Sequence, residues 1–69
     1  MTKEEIGAKI RQLRKAYGLT QKELADLSGI SLRNVIDIER GSANPSLDGL
    51  TTLCLSLGLE LKVEVKKNE

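Results

Sequence analysis

The chain predicts an all-α domain of four short helices followed by a single C-terminal strand, and three features carry that prediction. Helical apolar spacing recurs in four segments, each opened by a capping residue or acidic first turn and stopped by a glycine or its neighbour. Between Gln21 and Arg40, small and apolar residues fall where two helices crossing at a steep angle need them, and after Gly58 the period changes to strict alternation. The 69 residues make one domain, and the 39 % apolar fraction is almost wholly aliphatic, with Tyr17 the single aromatic. An aliphatic core suits packed helices. A domain this small buries a limited share of its surface, so close helix packing or association with a second copy must supply stability.

The first helix is expected from about Thr2 to Tyr17, with Ile6, Ile10, Leu13 and Tyr17 on one stripe and Gly18 as its stop. Glu4 and Glu5 in its first turn and Lys15 in its last complement the helix dipole. Thr20 caps a second helix, Glu23 completes a capping box, and Leu24, Ala25 and Leu27 supply apolar or small contacts. Gly29 makes the turn. Ser31 caps a third helix whose Val35 and Ile38 share the inner face, and Gly41 follows its last turn. The small Ala25 and the glycine four positions later answer one geometric requirement, the close crossing of a helix-turn-helix. In the segment GSANPS, Pro45 fits a tight turn and Ser46 caps a fourth helix with Asp48 in its first turn. Leu47, Leu50, Leu53, Cys54 and Leu57 form its apolar stripe, Gly58 closes it, and Cys54 reads as core packing.

From 59 to 65 the side chains alternate, Leu59, Leu61, Val63 and Val65 against Glu60, Lys62 and Glu64, the pattern of a half-buried strand. No other segment alternates, so a strand here must take its partner from another molecule, as two copies pairing antiparallel about a twofold axis could do. The competing reading, a continued fourth helix, is weakened by Gly58 and by the alternation itself. The expected organisation is a domain over 1–58, a dimerising strand over 59–65 and a disordered tail over 66–69.

Several classes are excluded by what the chain lacks. It has no histidine and one cysteine, which rules out a structural zinc site, and neither a metal nor a cofactor is expected. No nucleophile–base pair and no glycine-rich phosphate loop point to an enzyme. Without an apolar run resembling a signal peptide or a membrane span, a cytoplasmic location is expected and no membrane partner. Net charge is only +1, but residues 1–40 hold eight Lys and Arg against six Asp and Glu, while 41–69 hold three against four. The modest positive excess sits with the helix-turn-helix.

The stretches GLTQKELA, SGIS and IERG, followed by NPSL, bring out a resemblance: residues 6–57 are similar to the DNA-binding domain of the phage-repressor and Cro class, within the xenobiotic-response regulators. That resemblance implies a lambda-repressor-like fold and a non-enzymatic regulator, a repressor of transcription on a double-stranded, pseudo-palindromic DNA operator. The alternating tail resembles that of HipB-like antitoxins, which implies a homodimer and a cognate toxin as partner. The runner-up from another class is a protein-interaction adaptor.

The second motif helix of such a reader enters the major groove. By similarity, Leu32, Arg33, Ile36 and Asp37 occupy its base-reading or groove-facing positions, with Arg33 suited to bidentate recognition of guanine. Leu32 and Ile36 can meet a thymine methyl or instead form a protein contact, and the Asp37 carboxylate repels phosphate and favours the cytosine amino group. Thr20, Gln21, Ser31, Arg40, Ser42 and Asn44 are the expected phosphate contacts, Gln21 and Ser31 because a capped helix N-terminus offers free N–H donors. For several of these, capping and turn formation alone is the competing role. The resemblance also implies a partly buried ion pair between Arg14 and Glu39, joining the first helix to the end of the third.

Overall fold

The computed structural model describes residues 2–42 and 44–62 and contains four helices among them: α1 Lys3–Ala16, α2 Gln21–Ser28, α3 Leu32–Arg40 and α4 Leu47–Ser56. Each begins at a hydroxyl cap. The side chains of Thr2, Thr20, Ser31 and Ser46 accept the N–H of the residue three positions on, and in α1 and α2 a glutamate, Glu5 or Glu23, returns the bond to complete a capping box. Thr2 and Tyr17, expected at the ends of the first helix, are its caps.

Helix closure is as regular as helix entry. After α1, α3 and α4 the chain turns through a glycine, and the residue beyond it donates its N–H five residues back: Leu19 to Arg14, Ser42 to Asp37, and Leu59 to Cys54, at 3.0, 3.0 and 2.8 Å. This arrangement gives the first residue of the expected strand a second role. Leu59 is the last residue of the α4 closure and packs, half-buried, against its own core, the apolar contact that such closures bring with them. Leu59, Glu60, Leu61 and Lys62 form neither helix nor strand, and no strand occurs among the described residues. Leu61 is exposed, whereas Val63 and Val65 lie outside the described residues.

The core joins Ile10 of α1, Leu24 and Ala25 of α2, Val35 and Ile38 of α3, and Leu53 and Leu57 from α4 and its cap, with Ile6, Leu13, Leu19, Ile30 and Leu50 packed around it. Helix α3 is the shared element, packed by both α1 and α2, while α2 also meets α4. Two close approaches set α1 against α3. Gly7 lies so near the α3 backbone that a Cβ would meet the carbonyl oxygens of Ile38 and Glu39, and a Cβ on Gly41 would stand 2.9 Å from the Glu4 Cα. Gly41 is required twice over, since its φ of 73° is a left-handed conformation that strains other residues.

Three apolar residues expected inward lie outside the core. Leu27 is 61 % and Leu47 74 % exposed, and Tyr17 is exposed too, although its hydroxyl donates to the Leu57 carbonyl at 3.0 Å. In α2 the buried position goes to Ser28, whose hydroxyl donates back to the Leu24 carbonyl at 2.7 Å, so a small polar side chain fits where a leucine would not. Cys54 is buried, and burial pushes its thiol pKa up.

Candidate nucleic-acid interface

The sharp turn at Gly29, together with the buried Ala25 beneath it, brings the N-terminus of α3 alongside α2. Gly29 is left-handed and donates its N–H to the Ala25 carbonyl at 2.9 Å, so the turn is closed within the motif. With Val35 and Ile38 inward, α3 turns outward Leu32, Arg33, Asn34 and Arg40, all exposed, and leaves Ile36 and Asp37 half-buried. Arg33 and Asp37, one turn apart, form an ion pair with Nε 3.4 Å from Oδ2.

Behind this face lies a network centred on Glu39. Arg14 donates from Nε and from a terminal nitrogen to the two carboxylate oxygens at 2.6 and 3.1 Å, and its third group donates to the Leu19 carbonyl at 2.8 Å. The Gln21 amide nitrogen donates to Glu39 Oε1 at 3.2 Å. The two charges are matched at bidentate geometry, which is what a buried pair needs to offset its desolvation. Arg11, Arg14, Gln21, Glu39 and Arg40 line one shallow cleft. Gln21 is thereby fixed at the first turn of α2, where the leading backbone N–H groups lack intrahelical partners and the dipole end is positive. An anion placed there would meet oriented donors.

The other residues with an expected phosphate role are placed differently. Thr20 and Ser31 spend an acceptor lone pair on their caps, the Glu23 and Asn34 N–H groups, and keep their hydroxyl protons for an outside acceptor. Ser42 directs both its N–H and its hydroxyl to the Asp37 carbonyl, at 3.0 and 3.3 Å, so the structure places it in helix closure. Asn44 accepts from Lys3 Nζ at 3.3 Å through its side-chain oxygen, which leaves its amide N–H groups free of that contact and puts a cation beside a loop that carries none of its own.

Lys3 and Arg11 are the additions that sequence reasoning lacked. Both sit on α1, Lys3 beside Asn44 and Arg11 in the cleft with Gln21, Glu39 and Arg40, contacts that exist only once the helices have packed. Among the described residues no three or more of His, Cys, Asp and Glu are grouped to hold a metal, and no helix is long and apolar enough to cross a membrane.

This geometry recurs in known proteins. Residues 10–63 match the helix-turn-helix family. The chain is 35 % identical over 63 residues to the transcriptional regulator ClgR of Mycobacterium tuberculosis, covering 91 % of this chain and 56 % of that protein, and 37 % identical over 60 residues to the immunity repressor of Bacillus phage phi105, covering 87 % and 42 %. It thus spans about half the length of these relatives. Among solved structures, the restriction-modification controller protein C.AhdI from Aeromonas hydrophila superposes with a TM-score of 0.78 at 40 % identity, over 84 % of this chain and 88 % of that one. The clp gene regulator ClgR from Corynebacterium glutamicum superposes with a TM-score of 0.80 at 33 % identity, over 88 % and 78 %. By the match over most of its length and by its four-helix geometry, the chain belongs to the helix-turn-helix family of the Cro/C1 type.

Proposed function

We propose that this chain is a transcription regulator, a repressor, that lays α3 in the major groove of operator DNA with α2 across the phosphate backbone. The observation that carries this reading is an exposed Arg33 near the start of α3, on the helix whose far end holds, through Glu39 and Gln21, the Thr20-capped, donor-rich N-terminus of α2. The names of its relatives, a clp gene regulator, a phage immunity repressor and a restriction-modification controller, support it. In this reading Arg33 reads a guanine, Leu32 meets a thymine methyl, and the half-buried Ile36 backs them without reaching far into the groove. Thr20, Gln21, Ser31, Arg40 and the Asn44 amide hold phosphates. With Ile36 half-buried, the exposed Leu32 is what remains of the apolar pair on α3 that a protein-interaction adaptor would use. Dimerisation is part of the proposal: two copies on a pseudo-palindrome would present their α3 helices about 34–36 Å apart, and Leu61, Val63 and Val65 are the residues proposed to join them. A cognate toxin as a second partner is proposed from the resemblance of the alternating tail to that of HipB-like antitoxins.

The test is a selection of duplexes from a randomised pool, followed by titrations at several salt concentrations. Enrichment of a palindromic sequence is expected. Arg33→Ala should reduce discrimination by about 10-fold or more, whereas Gln21→Ala should weaken binding to every duplex alike. Arg40→Ala should flatten the dependence of log K on log salt by about one unit. Failure to enrich any sequence would overturn the reading.

A further inference from the structure

We infer that Asp37 is a positioning residue for Arg33: its carboxylate holds the guanidinium by the Nε edge and aims the outer end at a base, without touching DNA itself. This inference rests on the proposed DNA-binding role. A carboxylate on the groove side of a recognition helix needs a reason, because it repels phosphate and satisfies few base edges. Stability does not supply one. Arg33 precedes Asp37 by four residues, the less favourable order along a helix dipole, and the Arg33 side chain is 86 % exposed, so the pair adds little to folding.

The geometry does supply one. The approach to Asp37 Oδ2 is through Nε, at the stem end of the guanidinium, while recognition of guanine O6 and N7 can use the two terminal nitrogens at the other end. Asp37 is itself well anchored: its side chain is only 28 % exposed, and its carbonyl receives the N–H of Gly41 and both the N–H and the hydroxyl of Ser42. The carboxylate thus projects from the closing turn of α3, whose backbone is held, and a long, exposed arginine lies at ion-pair distance from it before DNA arrives. Restricting such a side chain in advance reduces the ordering cost of binding and sharpens its orientation. The same pairing neutralises the carboxylate and reduces its repulsion of phosphates.

The experiment uses the full chain and the duplex that the wild-type protein selects, together with duplexes changed at single base pairs, at one salt concentration. Affinities are measured for the wild type, Asp37→Asn, Arg33→Ala and the double variant. Arg33→Ala should lose about 10–100-fold discrimination at one G·C pair. Asp37→Asn should lose about 3–10-fold at that same pair and nothing further once Arg33 is alanine, the signature of coupled residues. Asp37→Glu should recover part of the loss. Equal effects of Asp37→Asn in both backgrounds, or a uniform gain on every duplex as simple phosphate repulsion predicts, would overturn the positioning role while leaving DNA reading by Arg33 intact. If Arg33→Ala costs no discrimination at any pair, the base-reading role falls and the positioning role with it, a different pattern from the first two.

Discussion

Gly7 decides how closely α1 can lie on α3. Glycine costs a helix interior about 1 kcal/mol relative to alanine, so on propensity alone Gly7→Ala should stabilise the protein. The Glu39 carbonyl oxygen, 2.8 Å from where the new Cβ would stand, reverses that sign. Overpacking against backbone cannot be relieved by a rotamer change, and Gly7→Ala is expected to lose about 1–3 kcal/mol. Urea unfolding measures it, and a gain in stability would mean that the two helices are not so close. The same approach puts Arg14 within reach of Glu39, so one missing side chain on α1 is the condition for the ion pair that fixes Gln21.

At the scale of the element, each helix is bounded by local chemistry that works without its neighbours. In α1 the Thr2 N–H donates to the Glu5 carboxylate at 2.9 Å, and this bond, with the Thr2 hydroxyl beside the same carboxylate, holds the Glu5 pKa below the usual carboxylate range. An unfolded Glu5 takes its proton at higher pH than a folded one. The stabilisation is therefore present above the unfolded pKa and is lost as pH falls through the folded value. An NMR titration should find the Glu5 carboxyl titrating below the usual carboxylate range, and the amides of the first turn of α1 should lose protection as it protonates. Glu5→Gln should abolish that acid-dependent part. Titration of Glu5 within the usual carboxylate range would show that the capping box does not hold in solution.

Across the whole molecule the decisive region is the exit from α4, where Leu59 serves the fold and the residues after it are proposed to serve assembly. Two truncations separate these roles. Ending the chain at Gly58 removes the Leu59 bond to Cys54 and its contact with the core, and should cost roughly 1–2 kcal/mol of stability. Ending it at Lys62 should leave the unfolding midpoint of the monomer unchanged but abolish the dimer and weaken operator binding by turning one bivalent event into two separate ones. Sedimentation and a duplex titration read both. A chain ending at Lys62 that still dimerises would remove Val63 and Val65 from the interface.

Four helices, their caps and their stops were legible in the chain because each rests on interactions three to five residues apart: Thr20 with Glu23, Ser46 with Gly49, Gly41 with Ile38. Periodicity likewise identified Val35, Ile38, Leu53 and Leu57 as inward-facing. It failed at Leu27, Leu47 and Tyr17, since an apolar stripe states which residues could be buried, while the width of the neighbouring helix determines which are. Alternation from 59 onward did not reveal that Leu59 also closes α4, because a strand and a helix closure both place an apolar residue just beyond Gly58 and only the core behind Leu59 shows the second role. The outward face of α3 could be read from its spacing. That Asp37 is held to Arg33, that Gln21 is tied to Glu39 and that Lys3 reaches Asn44 could not, for the first depends on side-chain conformation and the others on contacts spanning 18 and 41 residues that exist only once the helices have packed.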